Sequence, residues 1–201
     1  MTILPISYLP SVEWMAHLAQ EPCIIDLHEH YIKRSERNRA RILTPTGPME
    51  LSIPLEHANR PRTPIQQMRI DYSKRWQHQH AIALKSAYKG SPYFDFYWEE
   101  LAPFYEGHWE SLVEYDRALI ECLLKLLGLK DRAPLLSDAY IEASTDHLDL
   151  RPKKRTGPTF AAEPYVQVFS DRWPFEPNLS VVDLLFAEGP AARELLMRCR
   201  I

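Results

Sequence analysis

LHEHYIKRSERNRARILTPTGPMELSIP, residues 27–54, is the stretch from which the architecture is best read. Arg37, Arg39 and Arg41 occupy odd positions, while Ala40 and Ile42 are apolar at even ones. Further on, Met49, Leu51, Ile53 and Leu55 alternate with Glu50, Ser52 and Pro54. Side chains two apart share a face of a strand, so each run has an apolar side and a polar one. Thr46-Gly47, set between Pro45 and Pro48, supplies the reversal. The pattern predicts a β-hairpin near residues 37–55 with a row of guanidinium groups on one face.

Upstream, residues 3–9 form an apolar run with Pro5 inside it, readable as a short or edge strand. Ser11 is placed to cap a helix whose Val12, Met15, Ala16 and Ala19 fall at helical spacing, and Glu21-Pro22 ends it. Residues 23–27, CIIDL, read as a buried strand, so the chain opens as strand, helix, strand. In α/β proteins ligands collect beyond the carboxyl ends of strands, which is where HEHYIKR follows.

Downstream, the alternation over residues 65–72 predicts another strand. Ser73 would then cap a helix with Trp76, His80, Ala83, Leu84 and Ala87 on one face and Gly90 beyond its end. Ser91-Pro92 restarts a helix bearing Tyr93, Phe94, Phe96, Tyr97 and Trp98, and a longer helix is predicted over residues 108–127. Residues 130–163 show no regular period. They hold the basic run RPKKR (151–155) and Thr156-Gly157-Pro158, and read as a mobile or ligand-ordered loop. A strand over residues 165–169, a helix capped by Asn178 or Ser180, and a last short helix after Gly189-Pro190 complete the chain. The expected fold is a single α/β domain, residues 1–201, with a mixed sheet that includes the hairpin, packed against several helices, and a helical C-terminal half.

A net charge of −3 with 25% charged residues disfavours nucleic acid as a partner, so electrostatic recognition must be local. Three widely spaced cysteines build neither a disulfide framework nor a CxxC metal site, and fit a reducing cytoplasm. The first residues lack a basic, uninterruptedly apolar leader, and no window approaches the roughly 18 apolar residues of a membrane span. Seventeen prolines in 201 residues exceed the usual ~5%, which implies short elements joined by rigid connections.

The arginine row, with Lys33 and Arg34 before it, fits two roles. Guanidinium forks match phosphate and carboxylate oxygens, and the same charges could equally pair with Glu36, Glu50 or Glu56 on a solvated face. His28, Glu29 and His30 suggest metal ligation, but no third and fourth ligand stands at a fixed spacing, so no metal is assigned and His30 is kept as an acid or base. His80 is either a core histidine with one hydrogen bond or a cleft-facing base. The aromatic block reads as core packing before ligand stacking, and the basic run as a solvated loop or a lid. Glycine-rich phosphate loops, GxSxG and HExxH are absent, and no cofactor is assigned.

Taken together, YLPSVEW, HYIKRSERNRARI, LSIPL, Trp76 with His80, AYKGSPYF and PNLSVVDLLFAEG resemble the WbqC-like proteins over most of the chain. The resemblance implies a place in bacterial surface polysaccharide (O-antigen) synthesis and transfer of an amino acid such as glycine onto an amino sugar. Tyr8, Tyr31, Lys33, Arg34, Asn38, Arg39, Trp76, His80, Ser91, Tyr93, Asn178, Asp183 and Glu188 match the family's polar positions. Two departures stand out. Pro5-Ile6-Ser7 replaces a Gln-Pro-Asn type opening, and only residues 144–163 stand where longer relatives carry a further loop.

The combined expectation is a cytoplasmic acyl- or aminoacyl-transferase acting on a phosphorylated or nucleotide-linked sugar. Lys33, Arg34, Arg37 and Arg39 hold phosphates, Asn38 orients the acceptor, His80 or His30 takes the amine proton, and Tyr8, Tyr31, Ser91 and Tyr93 complete the substrate site. The alternative is a non-catalytic anion- or sugar-nucleotide-binding factor of envelope assembly. The sequence assigns neither the donor, the acceptor nor the oligomeric state.

Overall fold

The computed structural model describes residues 1–60, 62–144, 146–155 and 160–201. The opening unit is β1 (Thr2–Leu4), α1 (Val12–Gln20) and β2 (Cys23–Ile25), with the two strands parallel and Thr2 opposite Cys23. The first strand is shorter than the apolar run suggests. Pro5 cannot donate to a ladder, and its carbonyl instead accepts the Trp14 indole N–H at 2.9 Å. Ser11 caps α1 as its position predicts, its Oγ accepting the Trp14 backbone N–H. Residues 12–19 of α1 are all buried, so this is an interior helix and its polar side chains need partners. His17 Nδ1 meets Glu21 Oε1 at 2.7 Å, and the Thr2 hydroxyl donates to the same oxygen.

The hairpin is β3 (Arg39–Thr44) and β4 (Gly47–Ser52), antiparallel from Arg39 opposite Ser52 to Thr44 opposite Gly47. Gly47 turns at φ +108°, a region that side chains avoid, with the Trp173 ring about a van der Waals contact from where its Cβ would lie. The hairpin forms a sheet of its own. Tyr88 Oη accepts the Leu43 N–H, and the Arg41 carbonyl accepts the Ser180 N–H at 2.7 Å.

Residues 65–72 do not form the expected strand. Pro64 leads into a 3₁₀ turn, Ile65–Gln67, and only the single bridges Leu55 to Ile70 and Arg69 to Ser111 follow. Ile65, Met68 and Ile70 are the residues buried there, so the alternation was produced by a turn followed by one extended step.

Next come α2 (Trp76–Tyr88), α3 (Phe94–Leu101) and α4 (Leu112–Leu126). Ser73 does not cap α2, because its N–H and hydroxyl both bond Asp71. Nor does Ser91 cap α3, which starts after Tyr93 without a side-chain cap. The long helix begins at Leu112 rather than near residue 108, where Ser111 accepts the Glu114 N–H.

Residues 130–163 contribute more than a loop. β5 (Leu135–Leu136) pairs with β2, and β6 (Leu148–Asp149) pairs with β1, giving an all-parallel sheet in the order β5-β2-β1-β6. Thr156-Gly157-Pro158 lies outside the described residues. Residues 165–169 are not a strand; the Gln167 side chain instead ties this segment to the Glu176 backbone. Ser180 caps α5 (Val181–Glu188), and α6 (Ala192–Arg198) follows, with Gln20 of α1 donating to the Leu196 and Cys199 carbonyls. The result is one mixed α/β domain with a parallel sheet, an antiparallel hairpin and a helical C-terminal half. Among the described residues, no helix is long and apolar enough to cross a membrane.

Candidate functional site

The chain leaves the carboxyl ends of β1 and β6 on the same side of the sheet, and a cleft of about 480 Å³ opens there. Pro5 and Leu9 line it after β1, and Leu150, Pro152, Lys153 and Arg155 after β6. Ser11, Glu13 and Trp14 bring the N-terminus of α1, and Asn178 and Ser180 that of α5. Arg34 to Glu36 and the hairpin residues Arg39, Ala40, Arg41 and Glu50 close the remaining wall. The volume suits a small organic ligand.

The two helix ends are locked together. Val12 N–H donates to the Leu179 carbonyl and Val181 N–H to the Pro10 carbonyl, both at 2.7–2.9 Å. Asn178 grips Glu13 at two points, its Oδ1 accepting the Glu13 N–H and its Nδ2 donating to Glu13 Oε2, each at 3.0 Å. The first amides of both helices are thereby used within the protein. What the helix ends offer a ligand is the positive end of their dipoles rather than free donors.

Five cations border the cleft, three of them already paired. Arg155 forks onto Glu13, Arg39 pairs with Glu50, and Arg41 reaches Glu176 at 2.9 Å. Arg34, at φ +57°, and Lys153, at φ +68°, have no hydrogen bond or ion pair among the described residues. Glu36 lines the cleft and is exposed, with protein groups close around its carboxyl. That crowding pushes its carboxyl up from the ordinary value, and neighbouring Glu13 adds to the effect, against Ser11, Arg155 and Arg37.

The residues singled out from sequence are divided by the fold. Arg34 and Arg39 line the cleft. Arg37 does not share their face. It is wholly buried and paired with Glu29, its Nε donating to Glu29 Oε1 at 3.0 Å. The residue precedes β3, so strand alternation does not govern it. Burial raises the Glu29 carboxyl, opposed by the Arg37 charge. Asn38 is also buried. Its Nδ2 and carbonyl both bond Ile53, and it accepts the Tyr31 hydroxyl at 3.0 Å, so it fastens the return strand. Lys33 is exposed and bonds Asn59, and His30 is exposed with its backbone bridged to Pro64. Among the described residues no group of His, Cys, Asp and Glu is arranged to hold a metal ion.

Tyr8 and His80 meet in the core, with the Tyr8 hydroxyl 2.9 Å from His80 Nδ1 and 3.1 Å from the Tyr105 hydroxyl. Burial pushes the His80 pKa down to about 4, and neither residue lines the cleft. Ser91 is buried with its hydroxyl unpartnered among the described residues, and Tyr93 packs against Gly189. Asp183, another family position, is buried in α5, where it accepts hydrogen bonds from Tyr165 and Gln167.

Sequence reasoning passed over Glu13 and Glu36. An acid in the first turn of a helix usually serves the helix dipole, and Glu36 looked like a partner for the arginine row. Arg155 was visible only as part of a basic run, within which Arg151 behaves quite differently. Arg151 is fully buried between Asp149 and Asp26, beyond the carboxyl ends of β6 and β2. The signal available for Asn178 was its match to the family's polar positions.

The WbqC-like protein family matches residues 7–160, so Asn178 and Ser180 extend the cleft beyond the matched span. The chain is 26% identical, over 197 aligned residues and 85% of each chain, to the uncharacterized protein Rv1507c of Mycobacterium tuberculosis (strain ATCC 25618 / H37Rv). No solved structure matches.

Proposed function

The chain belongs to the WbqC-like protein family, and from that premise we propose that it is a transferase that forms an amide between an acyl or aminoacyl group and the amine of a phosphorylated or nucleotide-linked amino sugar, in the cytoplasmic stages of bacterial surface polysaccharide synthesis. The observation that carries this reading is the cleft beyond β1 and β6, where Arg34, Arg39, Arg41, Lys153 and Arg155 surround a volume of ligand size. Guanidinium groups match phosphate oxygens in pairs, and two helix dipoles add to the same field. In this reading Arg34 and Lys153, which have no partner among the described residues, meet the phosphates first. Arg39 and Arg155 exchange part of their carboxylate pairing for the ligand. Tyr31 and Asn38, bonded to one another, fasten the return strand at Ile53, beside the start of β3.

Titration calorimetry with a nucleoside diphosphate sugar such as UDP-glucose tests the binding half. Arg39→Ala and Arg155→Ala are each expected to weaken it about tenfold, near the lower value of a charge-assisted hydrogen bond. Unchanged binding with an unchanged melting temperature would sink the assignment. A second reading, a non-catalytic binding factor of envelope assembly, is favoured by the burial of His80, which removes the expected base from the cleft. Mass spectrometry of an amino sugar nucleotide incubated with protein and an acyl thioester separates the two, since only the transferase adds the acyl mass.

A further inference from the structure

Among the described residues, each carboxyl around the cleft has a cationic partner except one. Glu50 has Arg39, Glu176 has Arg41, and Glu13 has Arg155 with Asn178 in support. Glu36 makes no ion pair among the described residues. The one hydrogen bond to its carboxyl among the described residues comes from the Ser11 hydroxyl, which reaches Oε2 at 3.4 Å while accepting the Trp14 N–H on its other side. Oε1 is left without a protein partner among the described residues.

The position of Glu36 is not accidental to the fold. Its carbonyl accepts the Tyr8 N–H at 2.9 Å and the Ser7 hydroxyl at 3.2 Å, which ties the residue to the segment leaving β1. Four groups act on its carboxyl, Glu13 of α1 and its cap Ser11, Arg155 from the segment after β6, and Arg37 from its own loop, while the cations Arg34 and Lys153 line the same cleft. Arg37 is committed to Glu29 and Arg155 to Glu13. Glu36 therefore has a carboxylate beside it and no cation committed to it, so an anion brought to the cleft favours its neutral form.

We infer that Glu36 serves the cleft as a neutral acid, donating its Oε1 proton to an oxygen of the bound anion, so that binding the anion is coupled to uptake of one proton. This rests on the anion-binding reading above and deepens it. Arg34 and Lys153 supply charge, and Glu36 supplies a directional donor that only the protonated form possesses. The ligand it selects has an oxygen without a hydrogen facing Glu36, as a phosphate diester or pyrophosphate does. An ionised Glu36 would repel the same oxygen, so affinity follows the protonation state of one side chain.

UDP-glucose is a suitable probe because its pyrophosphate diester does not titrate near neutrality. For the wild type, the dissociation constant is expected to rise toward tenfold per pH unit once Glu36 ionises. Calorimetry in buffers of different ionisation enthalpy should report proton uptake approaching one per ligand in that range. Glu36→Gln keeps the shape and a donor but cannot ionise, and is expected to bind with a flat pH profile and no proton uptake; its melting temperature serves as the folding control. A flat wild-type profile, or a Glu36→Gln profile as steep as the wild type's, overturns this inference and leaves the anion site standing. Absence of binding by both proteins at every pH overturns the anion site and this inference with it.

Discussion

Asp116, on α4, is fully buried, and neither of its carboxylate oxygens has a hydrogen-bond partner among the described residues. Burial alone pushes its pKa far above the ordinary carboxylate range. Because the folded value exceeds the unfolded one of ~3.9, its stabilising share is complete below pH ~4 and is lost as pH rises, toward tenfold in the folding constant per pH unit. Asp116→Asn keeps the volume and cannot ionise. The variant is expected to lie within about 1 kcal/mol of the wild type at pH 4 and to gain on it by up to about 1.4 kcal/mol for each pH unit above that. For a chain of 201 residues each kcal/mol of that gain is roughly 2–4 °C in melting temperature. Differential scanning fluorimetry from pH 4 to 8 reads it, with Asp95→Asn on the exposed side of α3 as a control. A gain that does not grow with pH would refute the argument, since it would mean that Asp116 is ionised and paired in the folded protein.

The opposite sign is expected at His80. Its folded pKa of about 4 lies below the unfolded ~6.5, so stability is full above pH ~6.5 and about 3 kcal/mol is lost as pH falls to about 4; His80→Gln should flatten that limb of a urea-unfolding series. Arg151→Met strands Asp26 and Asp149 in the interior, and equilibrium unfolding should record a loss of about 3–5 kcal/mol at pH 7. Gly189 sits at φ +54°, and a Cβ there would fall 2.5 Å from the Tyr93 ring. Gly189→Ala should therefore cost about 2 kcal/mol or more, and the cost should shrink in a Tyr93→Ala background if the ring clash dominates over backbone strain.

Local signals made parts of the fold readable. Ser11 before an apolar period, Pro22 after it and the alternation around Thr46-Gly47 act within a few residues of the element they define. β5 and β6 gave no such signal. Each is two residues long and exists because β2 and β1 offer an unpaired edge, which no pattern in Leu135–Leu136 or Leu148–Asp149 can disclose. The same limit governed charge. Period two showed which arginines could share a face, but not that Arg37 precedes the strand and meets Glu29, or that Arg151 and Arg155, four residues apart, are buried and half-exposed respectively. Of the residues expected to hold the substrate, only Arg34 and Arg39 line the cleft, since much of its wall comes from segments far from the hairpin in sequence.

That last property bears on how the protein is made. The Glu13 to Asn178 bonds span 165 residues, and the amide bonds of Val12 and Val181 span slightly more. A ribosome that has delivered the strand-helix-strand opening and the hairpin has delivered every cleft-lining residue up to Glu50, but not the partner that fastens α1. Until residues 178–181 emerge, the α1 amides stay open to water and Arg41 lacks the Ser180 contact on its carbonyl. The cleft therefore gains its last fastening only when residues 178–181 have been made, and a chain truncated before them is expected to lack the bonds that hold Val12 and Glu13 in place.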